Sequence, residues 1–138
     1  RHPSLGWRLY TDEEGSPPTV DWDALRVAET IPEAGIELLP DDTYILEAGL
    51  DRLNGVDFRK GCYVGQEVTA RMKHKTELRK GFVSVVLDAP VTPGTEIMAD
   101  GKPAGRIFTV AGNQAIAYLR FDRATGQLTA DGVVLRRT

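Results

Sequence analysis

The dipeptide Asp100-Gly101 stands between two short apolar runs, Thr95–Ala99 and Ala104–Val110, and commits this part of the chain to a tight antiparallel hairpin. Two-residue turns of that composition match the right-handed twist of the strands they join, because both central residues tolerate positive φ. Pro103 cannot donate to a ladder and trims the start of the second strand. The surrounding sequence repeats the pattern. Phe82–Leu87 is dense in Val, Ala111-Gly112-Asn113 separates the hairpin from Ala115–Arg120, and Val133–Arg136 supplies a last run. Five short strands after Lys80 predict a small antiparallel barrel or sandwich.

The first half has a different texture. Leu5-Gly6-Trp7-Arg8-Leu9-Tyr10 alternates apolar and other residues ahead of a loop from Asp12 to Pro18, and predicts a strand. Asp21 is placed to cap a helix whose apolar side is Trp22, Leu25, Val27, Ala28 and Ile31, with Pro32 as its stop. Glu33–Tyr44 reads as irregular, and Leu46–Leu53 as a short helix closed by the left-handed cap Asn54-Gly55. Val64, Val68 and Met72 fall at helical spacing while Val68, Ala70 and Met72 alternate, so Gln66–Lys75 is favoured as helix over strand. The change of texture puts a boundary near Leu78–Lys80, dividing the chain into 1–78 and 79–138 with an α+β class overall.

Charge narrows the function. A net charge of −3 and a pI near 5.4 argue against a general nucleic-acid binder. The charge is unevenly spread. Between Thr11 and Asp57 only Arg26 and Arg52 are basic, whereas Arg59, Lys60, Arg71, Lys73, Lys75, Arg79 and Lys80 outnumber Glu67 and Glu77 in the next segment. One cysteine forms no intramolecular disulfide, and no second thiol or histidine pair offers a zinc site. A reducing compartment is expected, the bacterial cytoplasm or the mitochondrial matrix. No apolar run has transmembrane length and no signal peptide is visible. The chain opens on Arg1-His2-Pro3, so the expectation is a piece of a longer protein whose remaining portion completes any site.

The single cysteine lies in Lys60-Gly61-Cys62-Tyr63-Val64-Gly65-Gln66-Glu67. Its flanking glycines let the main chain turn with positive φ or approach a ligand, and a nearby lysine and helix start favour a thiolate. The bland alternatives are a small buried hydrophobe or a structural turn, and the residues alone leave the two readings balanced. Glu47 has a solvated or dipole-pairing reading and a functional one, in which its carboxylate accepts the guanidine-like edge of a pterin. Arg59–Lys80 is a solvated face, a partner for the acidic first half, or a holder of an anion such as a folate's glutamate tail. Tyr63 is core or a stacking surface.

With these residues in view, the segment Phe58-Arg59-Lys60-Gly61-Cys62-Tyr63-Val64-Gly65-Gln66-Glu67 followed by Ala70-Arg71 resembles the signature of YgfZ-type folate-binding proteins, relatives of mitochondrial iron–sulfur assembly factors within the glycine-cleavage T-protein superfamily. Leu5-Gly6-Trp7-Arg8, the stretch from Leu25-Arg26-Val27 to Ile31-Pro32-Glu33, Leu46-Glu47-Ala48-Gly49-Leu50 and Gly105-Arg106-Ile107 resemble further family segments. Glu29-Thr30 departs from the family by standing where it has glycine. The resemblance implies the end of a mixed α/β folate-binding body followed by a T-protein-like β-barrel. It assigns the family cysteine to Cys62, as the catalytic candidate, and a pterin-binding carboxylate to Glu47. Lys60, Tyr63, Gln66, Glu67 and Arg71 complete the cofactor-binding set, with tetrahydrofolate or a one-carbon derivative as the ligand and no metal site. The implied function is an accessory protein for iron–sulfur cluster assembly or repair in client proteins, tRNA-modifying enzymes included, with no direct nucleic acid or membrane partner. The alternative is a folate-dependent aminomethyltransferase or demethylase, and whether the protein is an enzyme stays open.

Overall fold

The computed structural model describes residues 2–75 and 77–138. Six antiparallel strands, β1 (Lys80–Leu87), β2 (Glu96–Ala99), β3 (Lys102–Ala111), β4 (Gln114–Arg120), β5 (Leu128–Ala130) and β6 (Val133–Arg137), close into a barrel in the order β1-β4-β3-β2-β5-β6. The Asp100-Gly101 turn has φ of 48° and 75°, the doubly positive geometry its composition demands. Asp131-Gly132 repeats it at 49° and 79° between β5 and β6. The expected strand count was therefore one short: β5 has only three residues, too few to show an alternation, although its turn carries the same chemistry as the first.

The barrel interior is filled by Val85, Leu87, Ile97, Ala99, Ala104, Ile107, Ala115, Ala117, Leu119, Leu128 and Leu135. Alanines on β4 and β5 keep the lumen of so narrow a barrel within what side chains can fill. Ile116 points the other way from its inward neighbours Ala115 and Ala117, yet is fully buried, because a helix covers the outside of β1, β3 and β4.

That helix is α1 (Trp22–Glu29), capped as expected by Asp21, whose Oδ1 accepts from the Ala24 N–H at 2.9 Å. It ends at Thr30, in the left-handed region at φ 50°, two residues before Pro32. Its buried face is narrower than predicted. Val27 and Ile31 are buried, Leu25 is half-buried, Trp22 and Ala28 are exposed, and Arg26 takes a buried position among them. Ser84 on β1 ties the end of the helix down, donating to the Val27 carbonyl and meeting the Thr30 hydroxyl at 2.6 Å.

Two other expectations, for Leu5–Tyr10 and Leu46–Leu53, are overturned. Leu5–Tyr10 is not a strand: a 3-10 turn spans Pro3–Leu5, Gly6 has φ 68°, and Trp7, Leu9 and Tyr10 are almost wholly exposed. A strand needs an edge to pair with, and a closed barrel offers none. Leu46–Leu53 is a chain of turns instead of a helix. Gly49 sits at φ 66°, so the amides of Ala48, Gly49 and Leu50 reach back by four, three and five residues in succession. Asn54, at φ 55°, does adopt the predicted left-handed cap conformation. Finally, Gln66–Lys75 does form a helix, α2, but its buried residue is Thr69, while Val64 is exposed and Val68 half-exposed.

Candidate functional site

Glu47 is held by the barrel through both its main chain and its side chain. The Phe82 N–H donates to the Glu47 carbonyl at 3.0 Å, and Gly81 permits the approach, since a Cβ there would stand 3.0 Å from the same oxygen. The side chain is 6% exposed. Its Oε2 accepts from the Tyr118 hydroxyl on β4 at 2.5 Å and lies 4.0 Å from Lys80 Nζ on β1. Lys80 Nζ also sits 5.7 Å from the centre of the Tyr118 ring, which packs at 5.0 Å against Phe82. Burial, then the hydrogen bond to Glu47 and its negative charge, push the Tyr118 phenol well above the ordinary tyrosine range. The phenol is therefore a donor at any physiological pH, and a donor fixes its partner as an acceptor.

The other carboxylate oxygen is differently placed. Oε1 accepts no hydrogen bond among the described residues, and it is not sealed, because Arg26 Nε is the one fully enclosed side-chain polar atom without a hydrogen-bond partner among them. A buried carboxylate with one oxygen engaged and the other unbonded and not fully enclosed fits an amidine-like N–H edge such as a pterin presents.

The signature segment forms a separate surface. Gly61 and Gly65 have φ of 92° and 84°, so both glycines flanking Cys62 occupy the left-handed region, and Cys62 is exposed. Lys60 and Tyr63 line a cavity of about 310 Å³ with Ile45, Asn54, Gly55, Val56 and Asp57, and Lys60 Nζ stands 5.3 Å from the Tyr63 ring centre. Gln66 serves the start of α2: its Oε1 accepts from the Tyr63 N–H at 3.2 Å while its own N–H returns to the Tyr63 carbonyl. Glu67 and Arg71 pair with each other at 2.5 Å on the exposed side of the helix. Lys73 faces the other way, 3.5 Å from Asp51 and 5.0 Å from the Phe58 ring. The structure thus groups Lys60 with Tyr63, and Glu67 with Arg71, and sets Glu47 against the barrel.

A third cluster went unseen in the sequence. Arg26 on α1 donates through Nη1 to Glu37 at 3.1 Å and to the Ile31 carbonyl, and through Nη2 to Asp23 at 2.8 Å and to Thr109 on β3 at 3.1 Å. Its Nε lies 3.0 Å from Glu33 without hydrogen-bond alignment. Glu37, 1% exposed, also accepts from the amides of Glu33 and Thr109 and from the Thr109 hydroxyl. Burial works against the Arg26 charge, but the hydrogen bond to Asp23 and the charges of Glu37, Glu33 and Asp23 outweigh it and raise its pKa. The available signal was the arginine of the stretch ending in Ile31-Pro32-Glu33, seven residues ahead of that glutamate.

Residues 79–138 match the family described as CAF17, C-terminal beta-barrel domain. The matched stretch begins one residue ahead of β1 and runs through β6. The chain as a whole is 36% identical over 140 residues to the mitochondrial iron–sulfur cluster assembly factor IBA57 of Mus musculus, and 34% identical over 139 residues to that of Homo sapiens. Each alignment covers 90% of this chain and 39% of the relative. A homolog from Phaeosphaeria nodorum is 32% identical over 130 residues, covering 75% of this chain and 32% of that protein. The chain accordingly spans about two fifths of the mouse and human relatives. These relatives are the YgfZ-type, T-protein-related factors to which the signature pointed, and the segments ahead of the barrel share in the similarity.

Proposed function

We propose that this chain is part of a tetrahydrofolate-binding accessory protein that supports iron–sulfur cluster assembly or repair in client enzymes, tRNA-modifying ones among them. The observation that carries the reading is the similarity over nine tenths of the chain to factors named for cluster assembly, in a chain that presents its cysteine exposed between two left-handed glycines. The relatives' mitochondrial location supports the matrix as the reducing compartment. A cluster is normally held by four thiolates, so Cys62 works together with thiols of a client, a carrier or a second copy. The folate half of the reading is supported by Glu47, whose open oxygen suits a pterin edge, and by Lys60 and Tyr63 beside their cavity. Bound folate would supply one-carbon or redox chemistry, while these residues would bind and orient it.

Two variants of the intact protein test this. Cys62→Ala, at an exposed position, leaves the fold unchanged and abolishes support of iron–sulfur enzyme activity in cells depleted of the wild type. Full support by that variant removes the cysteine from the function. Glu47→Gln weakens tetrahydrofolate binding by about 1.5–3 kcal/mol in calorimetry, through loss of a charge-assisted pair. Unchanged affinity would move the pterin elsewhere.

A further inference from the structure

We infer that Tyr118, contributed by the barrel, is a positioning residue for ligand binding: it holds Glu47 by one carboxylate oxygen so that the other is left facing the ligand's N–H edge. This rests on the folate reading of Glu47. The two residues lie 71 positions apart, and Tyr118 sits on the outer side of β4 between the inward Ala117 and Leu119. Its ring is fixed by Phe82 at 5.0 Å and covered by Lys80, and its hydroxyl is aimed at Oε2 at 2.5 Å. Glu47 itself belongs to a run of turns broken at Gly49, so the local backbone gives its side chain little support. The barrel supplies that support through the Phe82 N–H, the missing Cβ of Gly81 and the Tyr118 hydroxyl together. A carboxylate free to rotate would divide its time among orientations, whereas one oxygen pinned by a half-buried phenol presents the other in one direction. Ligand affinity then depends on a hydroxyl that need not touch the ligand.

The test is a double-mutant cycle in the intact protein, with tetrahydrofolate as the probe and calorimetry as the readout, alongside an absorbance titration of the tyrosines. Tyr118→Phe weakens binding roughly threefold to tenfold, the worth of one hydrogen bond, in the otherwise wild-type protein and has no effect once Glu47 is Gln. Equal losses in both backgrounds would mean that Tyr118 acts through the fold and not through Glu47, and no loss in the first would show that the carboxylate needs no such support. Either result overturns the proposal while leaving the folate reading intact. Loss of the effect of Glu47→Gln itself would remove both. The titration judges the pair without ligand and without the phenylalanine variant: one tyrosine of the wild type ionises above the others, and Glu47→Gln brings it down toward them. A tyrosine spectrum unmoved by Glu47→Gln overturns the proposal.

Discussion

Arg26 and Glu37 show how strongly single residues tie the first half of the chain to the barrel. Glu37 alone accepts from Arg26, from the Glu33 amide, and from both the amide and the hydroxyl of Thr109. Glu37→Ala strips four donors at once and leaves a buried guanidinium facing the gap, so stability falls by about 3–5 kcal/mol. Urea unfolding followed by circular dichroism measures it, and a loss within experimental scatter would mean that solvent replaces the carboxylate. Tyr118 gives a pH effect of definite sign. Its native pKa is raised by burial and by Glu47, so its contribution is complete below the unfolded tyrosine value of about 10 and is lost as pH climbs through the higher native value. Melting temperatures of the wild type and Tyr118→Phe should therefore converge in strong alkali and stay parallel near neutrality. Neither arrangement was legible in the sequence, because the partners are separated by 71 and 72 residues and no local pattern joins them.

At the scale of elements, the sequence was readable where the determinant is local. Asp21 caps α1 and Asp100-Gly101 turns β2 into β3, each through the chemistry of one or two residues. It misled where the determinant lies elsewhere. The alternation around Trp7 is real but has no edge to pair with, and the apolar spacing of Leu46–Leu53 is overruled by one glycine at positive φ. For α2 the structure separates two lysine and arginine positions that the charge count lumps together. Arg71 pairs with Glu67 on the exposed side, where solvent and solutes reach it, whereas Lys73 fastens the helix to Asp51 and Phe58. On the folate reading, Arg71→Ala lowers affinity for a polyglutamylated folate more than for a monoglutamate, and the difference shrinks with added salt. Lys73→Ala instead leaves both affinities alike and loosens the helix, which hydrogen exchange at 66–75 would register. Equal small effects from both, with no salt dependence, would make the segment a charged surface only. The exposed Cys62 and its glycines were legible as a candidate site, while the barrel's hold on Glu47 was not.

For the molecule as a whole, barrel closure rests on pairing that spans nearly its entire sequence. β1 is joined to β4 and, through Val85–Leu87, to Leu135–Arg137 of β6, with the Thr138 amide reaching the Ser84 carbonyl. A chain ending before Val133 would keep the β1–β4 and β2–β3 ladders but expose the one flank of β1 and the one flank of β5 that β6 now covers. Such a truncation is expected to be soluble only with difficulty, and light scattering on refolding would report the unpaired edges. The same closure imposes a timetable. During synthesis Glu47 and its α1 neighbours emerge long before Tyr118 and Thr109, and the barrel that fixes them waits for residue 137, so the Glu47 carboxylate is made well ahead of the groups that set it in place.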